Sequence, residues 1–111
     1  AIAPAMLADQ TEETFRRIVD IHLVGSFLCS HAAQALLPSD GTGRIINVTS
    51  AMVKSPRPQM ALSTGARAGL TAFAKSLSLE VAVDNVTINN LLPERIDTDR
   101  QRFMAERIMA E

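Results

Sequence analysis

Two hydroxyls and one guanidinium stand at spacings that could serve chemistry on a bound ligand. Ser50 closes a short β-branched run, and thirteen residues later Ser63 and Arg67 stand four apart at the start of a helical pattern. Residues four apart share one helix face, so the hydroxyl and the cation can address the same ligand. A serine hydroxyl donates a hydrogen bond but is far too weak an acid to exchange a proton near neutrality, whereas arginine keeps its charge. Upstream, His22 lies on an apolar helical face. Its reference pKa of about 6.5 suits proton transfer. Each residue also has a plainer reading: Ser50 as a turn cap, Ser63 as a helix N-terminal residue, Arg67 as a solvated charge and His22 as a satisfied core histidine. His31 lies too far along the helix to form a ligand cluster with His22, so no metal site is expected.

Helices and strands must position these groups. Residues 1–10 read as a loop. Thr11 is a helix N-cap, with Glu12 and Glu13 complementing the positive end of the dipole. Phe15, Ile18, Val19, His22, Ser26 and Cys29 recur at three- and four-residue steps, which predicts one buried face of a helix reaching Leu37. Pro38 and the turn residues after it end that pattern. Ile45, Ile46 and Val48 predict a buried strand over 44–50. A helical period returns over 62–83 with Leu62, Ala66, Leu70, Phe73, Leu77 and Val81, and Asp84 and Asn85 stop it. Val86–Leu92 is a second strand, ended by Pro93, and Asp97-Thr98-Asp99 opens a last amphipathic helix.

The order α-β-α-β-α predicts two parallel strands joined by a helical crossover, part of a doubly wound α/β sheet. In such sheets ligands sit beyond the carboxyl ends of the strands, so Ser50, Ser63, Arg67 and the segment after Pro93 are expected to face one crevice. The chain has 111 residues, 47% hydrophobic and 21% charged, with a net charge of −1. That composition is globular and argues against a nucleic-acid groove or an anionic membrane patch. No apolar stretch is long enough to span a bilayer. A single cysteine, Cys29, fits a cytoplasmic protein. Gly41 and Gly43 precede a strand, whereas a dinucleotide-binding glycine turn must follow one. The reading is therefore of a C-terminal portion, residues 1–111, of a longer Rossmann-like domain whose glycine-rich half lies elsewhere.

The run Gly43-Arg-Ile-Ile-Asn-Val-Thr-Ser50, the Ser63-x-x-x-Arg67 pair and Val86-Thr-Ile-Asn-Asn-Leu-Leu-Pro93 resemble the catalytic half of the short-chain dehydrogenase/reductase family. Ala61–Arg67 and Asn89–Pro93 look similar to its 3-oxoacyl-carrier-protein-reductase-like group. The resemblance implies that Ser50 hydrogen-bonds a substrate carbonyl or alcohol. It also implies that position 63 holds a tyrosine acid/base and position 67 a lysine gripping the nicotinamide ribose. Here those positions are Ser63 and Arg67, and the chain has no tyrosine. His22 stands where the family's helix asparagine is expected. Pro93, Ile96 and Thr98 match the segment that binds the nicotinamide carboxamide, with Glu94 replacing a glycine.

Two functions follow from the resemblance. One is an NAD- or NADP-dependent oxidoreductase acting on a ketone or secondary alcohol of 3-oxoacyl type, with Ser50, Ser63, Arg67 and His22 as catalytic candidates. Arg67, Pro93, Ile96 and Thr98 would then hold the cofactor. The other is a non-catalytic member that binds nucleotide or a partner subunit, a reading favoured by the missing phenol. The family's habit of pairing two long helices implies a homodimer or homotetramer through residues 11–37 and 62–83. Small residues Ala66, Gly69, Ala72 and Ala74 would permit that approach. The piece alone is expected to be inactive and marginally stable.

Overall fold

Thr11 starts the first helix by local chemistry. Its hydroxyl oxygen accepts from the Thr14 backbone N–H at 3.1 Å, satisfying one of the donors that a helix start leaves unpaired. In a computed structural model that describes residues 4–111, α1 (Glu12–Val19) runs into a π-helical turn (Asp20–Val24) and then α2 (Gly25–Gln34). Residues 1–3 of the expected opening loop lie outside the described residues.

The π turn corrects the expected helix face. Its i→i+5 bonding breaks the 3.6-residue period, so the apolar stripe does not continue straight through. Ile18 and Ser30 are buried, whereas Phe15 and Cys29 are exposed. The helical run also ends at Gln34, before Leu37.

β1 (Arg44–Val48) and β2 (Thr87–Leu91) pair in parallel, with Arg44 opposite Thr87 and Val48 opposite Leu91. The crossover between them is α3 (Ala61–Val81), whose packing on β2 places it over one face of the sheet. Gly43 leads into β1 where no side chain fits. A Cβ there would stand 2.9 Å from both the Pro38 carbonyl oxygen and a Val86 methyl. At the far end of the crossover, Asn85 takes a left-handed conformation at φ 57° and turns the chain into β2.

The core lies between α3, the sheet and α1. Leu62, Ala66, Leu70, Ala74 and Val81 are buried along α3, with Val86 ahead of β2 and Ile18 from α1. Phe27 of α2 meets Phe73 of α3 edge-on at 6.0 Å between ring centroids. Ala66 and Gly69 of α3 serve this internal packing. Ala66 clusters with Ile18 and Leu62, and a Cβ on Gly69 would lie 3.4 Å from a Leu23 methyl. Ala66 and Ala74 are buried within the chain, whereas Ala72 is exposed on α3.

The expectation of a buried first strand is half met. Ile46 is 63% and Val48 67% exposed, with Leu91 on the same face at 56%. Helices cover only the opposite face, so these three side chains face open space. The last helix, α4 (Asp99–Ala110), begins at Thr98, whose side chain accepts from the Gln101 N–H at 3.2 Å. Phe103 and Ile108 on α4 are exposed. No helix among the described residues is long and apolar enough to cross a membrane.

Candidate active site

Helix geometry brings the Ser63–Arg67 pair together. Both lie in the first two turns of α3 with their side chains on one face, and the Arg67 guanidinium donates to the Ser63 hydroxyl oxygen. This face opens onto a cavity of about 470 Å³ whose other wall is α1 and the π turn. His22, in that turn, lines the same cavity. Ile18, Met60 and Leu62 give it apolar surface. Three of the four catalytic candidates therefore share one space.

The electrostatics follow from partial burial beside a cation. Desolvation, and then the charge of Arg67, hold the His22 pKa below its usual value. The imidazole is accordingly neutral at pH 7 and can accept a proton. Burial, reinforced by the charge of Arg100, also lowers the Arg67 pKa, although a guanidinium stays charged throughout the neutral range.

Ser50 lies elsewhere. It ends the first strand region and accepts from the Met52 N–H at 3.2 Å, capping a short helical turn at Ala51–Val53 that packs against α3. The Ala51 N–H donates to the Pro93 carbonyl oxygen at 3.1 Å, so the segments after the two strands meet at one rim, as the sheet topology requires. Ser50, Pro93, Ile96 and Thr98 do not line the cavity. Ile96 is 63% exposed, and Thr98 is engaged as the α4 cap. Glu94, at the position expected to be glycine, pairs with Arg57 at 3.1 Å on the surface.

Two charged lining residues escaped the sequence reading. Arg17 of α1 and Arg100 of α4 both border the cavity. Arg17 precedes His22 by five residues, a step that an α-helical period puts on different faces and a π turn does not. Arg100, in the first turn of α4, reaches the cavity through tertiary placement, for which no local pattern exists.

A parallel sheet with a long crossover helix on one face defines a Rossmann-type α/β protein, with a Ser-x-x-x-Arg pair at that helix's start and a histidine opposite. The short chain dehydrogenase family model matches residues 2–108, and the chain belongs to that family. It is 36% identical over 99 residues to a 3-oxoacyl-(acyl-carrier-protein) reductase of Synechocystis sp., covering 89% of this chain and 38% of that protein. Identity is 33% over 86 residues to a 2-dehydro-3-deoxy-L-rhamnonate dehydrogenase (NAD(+)) of Sphingomonas sp., covering 78% of this chain and 34% of that protein. The crystal structure of acetoin dehydrogenase from Enterobacter cloacae superimposes with a TM-score of 0.81 at 30% identity, covering 94% of this chain and 42% of that one. The chain thus spans well under half the length of these relatives.

Proposed function

We propose that this chain is the catalytic portion of an NAD(P)-dependent oxidoreductase that interconverts a ketone and a secondary alcohol, of 3-oxoacyl type. The observation that carries the reading is the shared cavity of His22, Ser63 and Arg67, built on the crossover helix where the family holds its reactive groups. Family membership and the reductase and dehydrogenase relatives support it. NAD(P), when bound, supplies or accepts the hydride. The residues present suit its nicotinamide ribose end: Arg67 is half-buried at the cavity and offers planar N–H donors to hydroxyl or phosphate oxygens.

Within that frame each side chain has a role. A tyrosine phenol has a pKa of about 10. A neighbouring cation lowers it by roughly 1–3 units, toward working pH. A serine hydroxyl starts close to water, and one arginine cannot close that gap. Ser63 therefore positions substrate by hydrogen bonding, held in place by Arg67. His22 exchanges the proton. Because its pKa is lowered, His22 is a base at neutral pH, which favours removal of a proton from an alcohol; ketone reduction gains as the pH falls and the imidazole charges. Ser50 and the Pro93–Thr98 segment form the rim against which the nicotinamide would lie. The uncovered strand face and the chain's partial span of its relatives support a place as one half of a larger Rossmann-like domain. A homodimer or homotetramer through α1–α2 and α3 is the assembly proposed for the intact protein.

A second reading, a nucleotide-binding member without catalysis, is favoured by the serine at position 63. Cofactor binding to the full-length protein, measured beside NAD(P)H oxidation over a panel of ketones, separates the two. Binding with turnover supports the oxidoreductase, and binding without turnover on every ketone supports the non-catalytic reading.

A further inference from the structure

His22 reaches the cavity because the helical run around it is not a plain α-helix. Ile18 of α1 packs with Leu62 and Ala66 of α3. Five residues later Leu23 lies against Gly69 of the same helix. Ordinary four- and three-residue steps then lead to Phe27, which meets Phe73, and to the buried Ser30. A straight α-helix sets residues five apart about 140° round from each other, so Ile18 and Leu23 could not both face α3 on one. The π turn reconciles them. The Gly25 N–H donates to the Asp20 carbonyl oxygen, an i→i+5 bond, and the widened turn absorbs one residue. His22 stands at the middle of that turn and lines the cavity with Ser63 and Arg67.

One side chain is tied to the turn itself. The partly buried Ser26 hydroxyl donates to the His22 carbonyl oxygen at 2.9 Å, four residues back. Back-bonding of this kind competes with the helix ladder and bends the helix. Here it falls in the first turn of α2, where the π turn ends, and grips the backbone of the residue whose ring enters the cavity. Ser26 does not line the cavity, so its effect on chemistry there passes through His22.

We propose that Ser26 is a positioning residue for His22: its hydroxyl, bonded to the His22 carbonyl oxygen, holds the π register that turns the imidazole into the cavity. Without that bond the turn loses a contact that favours π over ordinary α bonding. Ile18 on one side, and Leu23 and Phe27 on the other, anchor the flanking helices to α3. A loosened turn therefore changes above all where His22 points. The link to proton exchange rests on the oxidoreductase reading above; the hold on His22 does not. The imidazole reports its own place, since burial and then the Arg67 charge lower its pKa in the cavity. Arg17 and Arg100 border the same space. A ring that swings out of it sheds these influences.

The test compares Ser26→Ala and Ser26→Thr in the full-length protein. The His22 ring resonances are followed by NMR across a pH titration, beside ketone–alcohol turnover and NAD(P)H binding. In Ser26→Ala the His22 pKa should rise toward its ordinary 6.5, and the pH midpoint of kcat should move with it. The same variant should lose about tenfold in kcat, less than removal of the imidazole itself would cost, with KM and the dissociation constant for NAD(P)H unchanged. Ser26→Thr keeps the hydroxyl and should restore both the titration and the rate. An unshifted His22 titration in Ser26→Ala would overturn the proposal, whether or not kcat falls. Equal changes in the alanine and threonine variants would overturn it as well, because the hydroxyl would then not be the cause. A His22 titration displaced in Ser26→Ala and restored in Ser26→Thr, in a protein that turns over no ketone, would sustain the hold on His22 and remove only the oxidoreductase reading.

Discussion

At the strand-end rim, the two hydroxyls and the Pro93 carbonyl are committed to backbone hydrogen bonds. Ser50 accepts from the Met52 N–H, Thr98 accepts from the Gln101 N–H, and the Pro93 carbonyl accepts from the Ala51 N–H. In the cavity beside α3 the polar groups answer to one another. Arg67 donates to Ser63, and its charge acts on His22. Local capping fixes backbone direction, while coupling between side chains sets charge and proton affinity. On the function proposed above, the rim supplies shape and the cavity chemistry, even though family resemblance alone puts catalytic candidates in both.

The largest effect should come from restoring a phenol to the cavity. In Ser63→Tyr, a hydroxyl of pKa about 10 would stand beside Arg67 and be lowered toward neutrality. A general acid–base so placed contributes about 10²-fold or more, and kcat of the full-length protein should rise accordingly. No gain in kcat for a well-folded variant would mean that the cavity does not face the reacting carbon.

Next in size is Arg67→Gln, which removes the charge and the fork together. Cofactor affinity should fall about tenfold by titration of NAD(P)H fluorescence. The same substitution should move the His22 pKa upward, toward 6.5, as seen by NMR. A variant that loses affinity with no change at His22 would uncouple the two halves of the cavity.

Ser50→Ala sharpens the contrast from the rim side. Losing a turn cap costs about 1 kcal/mol of stability, detectable by denaturant unfolding. Turnover should change only a few-fold. A loss of about 10²-fold in kcat would place the rim hydroxyl on the substrate and erase the division between the two regions.

The smallest effect is on the pH dependence of stability. A histidine with a lowered folded-state pKa binds its proton more readily when unfolded. Its contribution is therefore neutral to stability above about pH 6.5, and stability is lost as the pH falls below that value through the folded-state pKa. His22→Gln should flatten the slope of unfolding free energy between pH 6.5 and the acid limb of the profile, where 6.5 is the ordinary histidine value.

Much of this was legible in the residues. Thr11 and Thr98 announce their helices because a cap needs only local atoms, and Asn85 ends the crossover for the same reason. Parallel pairing follows from a crossover too long for a hairpin. The Ser63–Arg67 contact follows from helical spacing alone. What stayed hidden depends on tertiary structure. A π turn leaves no mark in a hydrophobic period except its failure, so the exposure of Cys29 beyond it could not be foreseen. The exposed Ile46 and Val48 read as core because a strand's composition records the face it prefers, not whether anything covers it. Arg17 and Arg100 became site residues only when three helices met.

The proposed proton route through the cavity depends most directly on His22. In the full-length protein, His22→Ala should abolish ketone–alcohol turnover, by about 10²-fold or more, while leaving the dissociation constant for NAD(P)H unchanged. Undiminished turnover in that variant would contradict a proton route through the cavity, whatever else binds there.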